Sequence, residues 1–151
     1  MVRVVKGMGV QDGDFIEHLI YSSTHDMLLF FTNAGKVYSK KAYEIPEYGR
    51  MAKGLPVVNL LQLEKGEKVQ TVINIPENAD DNYLFFITKM GTVKRTHVSE
   101  FSNIRTVVWL PYSPRWDELS NVLTTDGNQN ILIGTHLGYA VTSRKATFVP
   151  W

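Results

Sequence analysis

Leu28-Leu29-Phe30-Phe31-Thr32-Asn33-Ala34-Gly35-Lys36-Val37 decides the fold, because the chain repeats its pattern twice more. The second copy is Leu84-Phe85-Phe86-Ile87-Thr88-Lys89-Met90-Gly91-Thr92-Val93, and the third is Asn130-Ile131-Leu132-Ile133-Gly134-Thr135-His136-Leu137-Gly138-Tyr139-Ala140-Val141. Each copy is an apolar run, a Thr-x-x-Gly step and an alternating run, the pattern of a buried strand, a tight turn and a return strand. A hairpin turn that closes at positive φ accepts Gly35, Gly91 and Gly138 without steric cost.

The three glycines lie roughly 50 residues apart, a propeller-like period, and imply three repeated units. The expected fold is all-β, with units at about 14–65, 66–115 and 116–151 and an N-terminal arm, 1–13, that could complete a blade. A second element supports the repeat. Asp14-Phe15-Ile16-Glu17-His18-Leu19-Ile20 has an acidic residue, then apolar positions at fixed offsets, and the spacing returns in Glu67-Lys68-Val69-Gln70-Thr71-Val72-Ile73 and Asp117-Glu118-Leu119-Ser120-Asn121-Val122-Leu123. All three stretches are expected to be strands. Leu55-Pro56-Val57-Val58-Asn59-Leu60-Leu61 is expected to be the fourth strand of the first unit, matched in the second by the more aromatic stretch 106–116. Pro46 limits 43–48, and its counterpart 99–104, to a short helical turn or an irregular crossover. Gly13 falls in a turn expected to tolerate a side chain.

Of the 151 residues, 44% are hydrophobic and 21% charged, the composition of an ordinary globular domain. No apolar run approaches the roughly 18 residues of a membrane span, and the N-terminus lacks the apolar stretch of a signal peptide, so no membrane partner and a cytoplasmic location are expected. With no cysteine, disulfides, thiolate metal sites and cysteine nucleophiles are excluded. His18, His25, His97 and His136 lack the paired spacing of metal ligands. His25 and Asp26 follow Ser22 and Ser23, but closeness in sequence is not triad geometry, and the run reads as a turn. Neither a P-loop nor a dinucleotide fingerprint is present, so no cofactor, small-molecule substrate or catalytic residue is expected.

The net charge of +1 conceals a sorting of charge along the chain. Segments 36–53, 89–105 and 136–145 carry +3, +3 and +2, residues 1–11 add +2, and the remainder carries −9. If the units are equivalent blades, the basic segments come round to one edge. A positive rim of that kind suits a polyanion. The plainer reading is a solvated surface of mixed charge.

The residues that carry a family likeness are Asp14-Phe15-Ile16-Glu17-His18-Leu19, Ser23-Thr24-His25-Asp26-Met27-Leu28-Leu29-Phe30-Phe31-Thr32-Asn33, Gly35-Lys36-Val37-Tyr38, Tyr43-Glu44-Ile45-Pro46-Glu47 and Ala52-Lys53-Gly54 with Val58-Asn59-Leu60-Leu61. Gly91-Thr92-Val93-Lys94-Arg95-Thr96, Glu100-Phe101-Ser102-Asn103-Ile104-Arg105 and Thr125-Asp126-Gly127-Asn128-Gln129 extend it. Together they resemble the DNA-wrapping C-terminal domain of the A subunit of DNA gyrase, and that of its topoisomerase IV relative. The resemblance implies a β-pinwheel, a six-bladed propeller-like disc whose neighbouring blades exchange a strand and whose basic perimeter bends DNA, with no active site of its own. It implies double-stranded DNA as partner and phosphate contacts from Arg3, Lys6, Lys36, Lys40, Lys41, Arg50, Lys53, Lys89, Lys94, Arg95 and Arg105, because cations that neutralise phosphates release counterions whatever the base sequence.

The chain departs from the family in three places. The signature Gln-Arg-Arg-Gly-Gly-Lys-Gly falls on Met1-Val2-Arg3-Val4-Val5-Lys6-Gly7, where only Arg3, Lys6 and Gly7 match. The tracts 106–116 and 142–151 also differ. Three units make half a disc, which suggests a truncated or engineered half-domain; its exposed edges are expected to be covered by the added apolar residues, to close on themselves in a smaller ring, or to be buried in a homodimer that completes the disc. Two readings therefore stand: a non-catalytic DNA-binding and DNA-wrapping module, or a self-assembling β-pinwheel scaffold with little residual DNA binding.

Overall fold

The first apolar run forms β1 (Met27–Thr32), which turns through 33–35 into β2 (Lys36–Lys41). Gly35 adopts φ 75°, the left-handed step for which glycine has no Cβ penalty, and its N–H donates to the Thr32 carbonyl at 3.0 Å. Phe30 lies opposite Tyr38 and Phe31 opposite Val37, so alternate residues face opposite sides of the sheet. Leu28 to Phe31 are nonetheless all buried, because both faces are covered. The computed structural model describes residues 13, 15–49, 52–79, 81–101, 107–109 and 117–143.

A 3-10 helix at Ala42–Glu44 follows β2, as the proline-limited segment implies. The expected strand at 55–61 is instead a helix, α1 (Val57–Leu61). A short apolar run does not distinguish strand from helix by periodicity. Here Pro56 precedes the first helical turn and Gln62, at φ 52°, closes it. Leu61 is buried beside Leu28, Phe30 and Tyr38 while Val57 and Val58 are exposed, the one-sided burial of a surface helix.

The chain continues through β3 (Val69–Ile75), β4 (Tyr83–Thr88), β5 (Val93–His97), a 3-10 helix at Val98–Phe101, β6 (Val107–Trp109), β7 (Leu119–Thr125), β8 (Ile131–Gly134) and β9 (Ala140–Ser143). Three antiparallel sheets result, ordered β3-β1-β2-β6, β5-β4-β7 and β8-β9. The strand that opens each sequence repeat does not join the hairpin that follows it. β3 pairs with β1 of the preceding hairpin, setting Val72 against Phe30, and β7 pairs with β4, setting Val122 against Phe86. The chain is thus a run of small sheets linked by strand exchange. The first copy of this element departs from expectation: residues 15–20 form no strand. The tract expected to close the second unit supplies β6 to the edge of the first sheet, with Val108 opposite Val37.

Between the first two sheets lies the main core. Leu29, Phe31, Val37 and Ile75 meet Leu84, Phe86, Leu119 and Val122, and the second 3-10 helix adds Val98 and Phe101. Phe31 and Phe86 pack edge to face with centroids 5.4 Å apart. Burying one such side chain stabilises the fold by roughly 1.5–3 kcal/mol, so this shared layer joins the sheets into one unit.

Candidate nucleic-acid interface

The return strands of the first two hairpins carry basic residues, and their register decides which of them reach solvent. Lys36 opens β2 in a buried position, 4% exposed. Its Nζ lies 2.6 Å from Glu64 Oε1 and 3.7 Å from Glu67 Oε2. Glu67 in turn accepts from the Thr32 hydroxyl at 2.7 Å, the Tyr38 hydroxyl at 3.1 Å and the Glu64 N–H at 3.0 Å. Burial pushes the Glu67 carboxyl up, but these hydrogen bonds and the Lys36 charge together hold it below its ordinary value. Burial likewise opposes the charge on Lys36, and the two glutamates outweigh it and raise its pKa. Tyr38 is raised by burial and by its bond to Glu67. Lys36, expected on a phosphate-binding rim, is therefore buried with Glu67 in an ion cluster, with Glu64 at its exposed side, that ties the approach to β3 to the first hairpin.

Lys40 and Lys41 follow on β2, opposite Leu28 and Met27, and as adjacent strand residues they project from opposite faces. Both are half-buried. Lys40 Nζ stands 3.9 Å from Glu44 Oε1, and Lys41 Nζ donates to the His25 carbonyl at 3.1 Å. In the second hairpin Lys94 lies opposite Phe86 and Arg95 opposite Phe85, again on opposite faces. The Arg95 guanidinium sits 4.5 Å over the Tyr83 ring, which meets the His97 ring edge-on. Lys89 is exposed in the turn and pairs with Glu118, and Lys53 is exposed. Arg3, Lys6, Arg50 and Arg105 lie outside the described residues. The exposed Lys65 and Lys68, between α1 and β3, add cations that the repeat pattern does not mark. Their signal lies in the same stretch as Glu64 and Glu67, where no copy of the basic pattern picks it out.

The polar turn at 22–26 is structural. Asp26 accepts from the Asn74 side chain at 3.0 Å and the Ser23 N–H at 2.8 Å, which lower its pKa, and His25 packs edge-on against Tyr43. Among the described residues no three His, Asp or Glu side chains gather as a metal site. No helix among them is long and apolar enough to cross a membrane.

The sequence profile of the family described as DNA gyrase C-terminal domain, beta-propeller, matches residues 26–76 and 82–107, which hold the first two hairpins and the exchanged β3. The chain belongs to this gyrase C-terminal domain family. It is 57% identical to the A subunit of DNA gyrase from Streptococcus pneumoniae over 141 residues, which is 92% of the chain and 17% of that relative. It is 56% identical to the same protein from Streptococcus pyogenes serotype M1 over 147 residues, 96% of the chain and 18% of the relative. The chain thus spans less than a fifth of these relatives. The crystal structure of the C-terminal domain of DNA topoisomerase IV superposes with a TM-score of 0.77 at 25% identity, covering 93% of the chain and 44% of that structure. The shared architecture is the β-pinwheel, and the gyrase C-terminal domain is a non-catalytic module of a topoisomerase.

Proposed function

We propose that the chain binds and wraps double-stranded DNA in the bacterial cytoplasm, without reading its sequence, as the C-terminal domain of a gyrase A protein. The observation that carries this is the recurrence of paired cations, Lys40 with Lys41 and Lys94 with Arg95, on the return strands of two hairpins whose sheets share one core. Lys53 and Lys89 add exposed charge close to these strands in sequence. Arg3, Lys6, Arg50 and Arg105 belong to the proposed rim on sequence grounds. Lys36 does not, because its charge is taken up by Glu64 and Glu67. Phosphate neutralisation is the only interaction this set offers, so affinity should be indifferent to base sequence and steep in salt.

Fluorescence anisotropy with labelled duplexes of unrelated sequence tests this. Four neutralised phosphates give a loss of about a hundredfold between roughly 50 and 200 mM salt. Affinity that is flat in salt, or confined to one duplex, would overturn the reading. A second reading, a self-assembling scaffold with little residual DNA binding, draws on a different observation: Phe15, Ile16, Leu19, Ile20 and Tyr21 are all exposed.

A further inference from the structure

The three hairpins align on Gly35, Gly91 and Gly138, so each position of one has a counterpart in the others. On the side of the second sheet turned away from Leu84 and Phe86, Tyr83 lies opposite His97 and Phe85 opposite Arg95. The counterparts of Tyr83 and Arg95 are Met27 and Ser39 in the first hairpin, and Asn130 and Thr142 in the third. Neither of those hairpins can set a guanidinium over an aromatic ring at these positions. The stack of Arg95 on Tyr83 is therefore an addition to the repeat, not something that the fold of a hairpin requires.

Three elements hold the pair. The Arg95 guanidinium lies 4.5 Å from the Tyr83 ring centroid. The His97 ring meets the Tyr83 ring edge-on with centroids 4.9 Å apart, and its Nδ1 accepts from the Ser99 N–H at 3.3 Å, which fixes it. The turn after β7 closes on the same two side chains: a Cβ added to Gly127 would stand 3.1 Å from Tyr83 Cε2 and 3.9 Å from Arg95 Nη1, so a side chain there would press on the ring. That turn is itself pinned, the Gly127 N–H donating to the Thr125 hydroxyl at 3.1 Å and the Asn128 N–H to Asp126 Oδ1 at 2.9 Å. A guanidinium stacked by its face keeps its N–H donors in plane at its edges, the fork that matches two phosphate oxygens.

We propose that Tyr83 is a positioning residue for DNA binding: its ring, braced by His97 and the Gly127 turn, holds Arg95 ready to grip one backbone phosphate through two N–H donors. The inference rests on the DNA-wrapping reading above and deepens it. A free arginine loses rotamer freedom when it meets a phosphate, whereas Arg95 has lost it on folding, so less of the binding energy is spent on ordering it. Lys40 and Lys41 differ, because their compact ammonium charges sit on flexible stems and meet phosphate as point charges.

Anisotropy titrations of a labelled duplex over a salt series compare the unmodified chain with Tyr83→Phe, Tyr83→Met, Arg95→Lys and the Tyr83→Met/Arg95→Lys double variant, each checked for folding by circular dichroism. Methionine is the residue that the first hairpin carries at this position. Tyr83→Phe, which keeps the ring, should bind as the unmodified chain does. Tyr83→Met should weaken binding by about two- to tenfold at every salt concentration and leave the salt slope unchanged, because the cation remains and only its ordering is lost. The double variant should bind no worse than Arg95→Lys alone, since without the guanidinium the ring has nothing to hold. The Arg95 Nε–H resonance, shifted upfield by the ring in the unmodified chain and in Tyr83→Phe, should lose that shift in Tyr83→Met, a reading that needs no DNA. Full affinity in Tyr83→Met, or an equal loss from Tyr83→Met in the Arg95→Lys background, would refute the positioning role while leaving DNA binding intact. A Tyr83→Met chain that unfolds would refute it too, by making the ring part of the scaffold. An unmodified chain that binds no duplex would refute the DNA reading itself, and the role of the stack with it.

Discussion

The Thr32 hydroxyl donates to Glu67 Oε1 at 2.7 Å, joining the turn of the first hairpin to the acidic residue that introduces the exchanged strand β3. Asp117 plays the corresponding part for β7, accepting from the Met90 N–H at 3.1 Å in the second turn. A carboxylate at the head of each exchanged strand thus caps the turn of the hairpin before it.

Glu67→Gln should lower stability at neutral pH by about 2 kcal/mol, since it weakens charge-assisted bonds to Thr32, Tyr38 and Lys36. The folded-state pKa of Glu67 lies below its ordinary value of 4.5. Its contribution is therefore fully present above 4.5 and is lost as pH falls through the lowered value, because the unfolded chain takes up the proton first. Urea unfolding across a pH series should show a shallower acid decline for the variant than for the unmodified chain. Parallel declines would remove Glu67 as the group responsible.

Gly35→Val and Gly91→Val should each cost about 1–3 kcal/mol, because a β-branched residue is forced to φ 75° or 85°. At Gly91 an added Cβ meets nothing within 4 Å, so the Cβ itself makes no clash and the expected cost is the strain of positive φ. Gly13 lies at φ 91°, contrary to the tolerance expected from its sequence setting, and Gly13→Ala should carry a smaller penalty of the same kind. Thermal unfolding of the three variants checks this, and an unchanged transition at Gly35 and Gly91 would count against the turn assignment.

The hairpins are legible in the sequence because their signals are local: an apolar run, Thr-x-x-Gly and a return strand lie within a dozen or so residues. Pairing of β3 with β1 is not, because spacing within a segment says nothing about which distant edge it joins. The same limit hides the place of Lys36. In sequence it heads a basic run, but Glu64 and Glu67 arrive from beyond α1 and take its charge. Val57–Leu61 reads as a strand because five apolar or small polar residues fit either a strand or one helical turn, and only the packing of Leu61 on Phe30 and Tyr38 decides between them.

Phe31→Ala and Phe86→Ala should each cost about 3–5 kcal/mol, since both are fully buried and face each other across the two sheets. The edge-to-face pair also predicts a coupling of about 0.5–1.5 kcal/mol in a double-mutant cycle. Denaturant unfolding of the two single variants and the double variant measures it. Strict additivity would show that the sheets fold without mutual support.

Lys40→Glu and Lys41→Glu should weaken binding to every duplex alike and reduce the slope of log affinity against log salt, by about one for each phosphate that is no longer neutralised. Lys36→Met should act in the opposite manner. It leaves Glu67 buried beside Glu64 without their cation, so stability should fall by about 2 kcal/mol while the affinity of the folded fraction and its salt slope stay unchanged. Comparing melting temperature with anisotropy titrations at two salt concentrations separates the three variants. Loss of salt slope in Lys36→Met at full folding would place Lys36 on the DNA path. Unaltered slopes in both glutamate variants would remove the β2 return strand from the rim and leave phosphate binding to Lys94, Arg95 and the cations outside it.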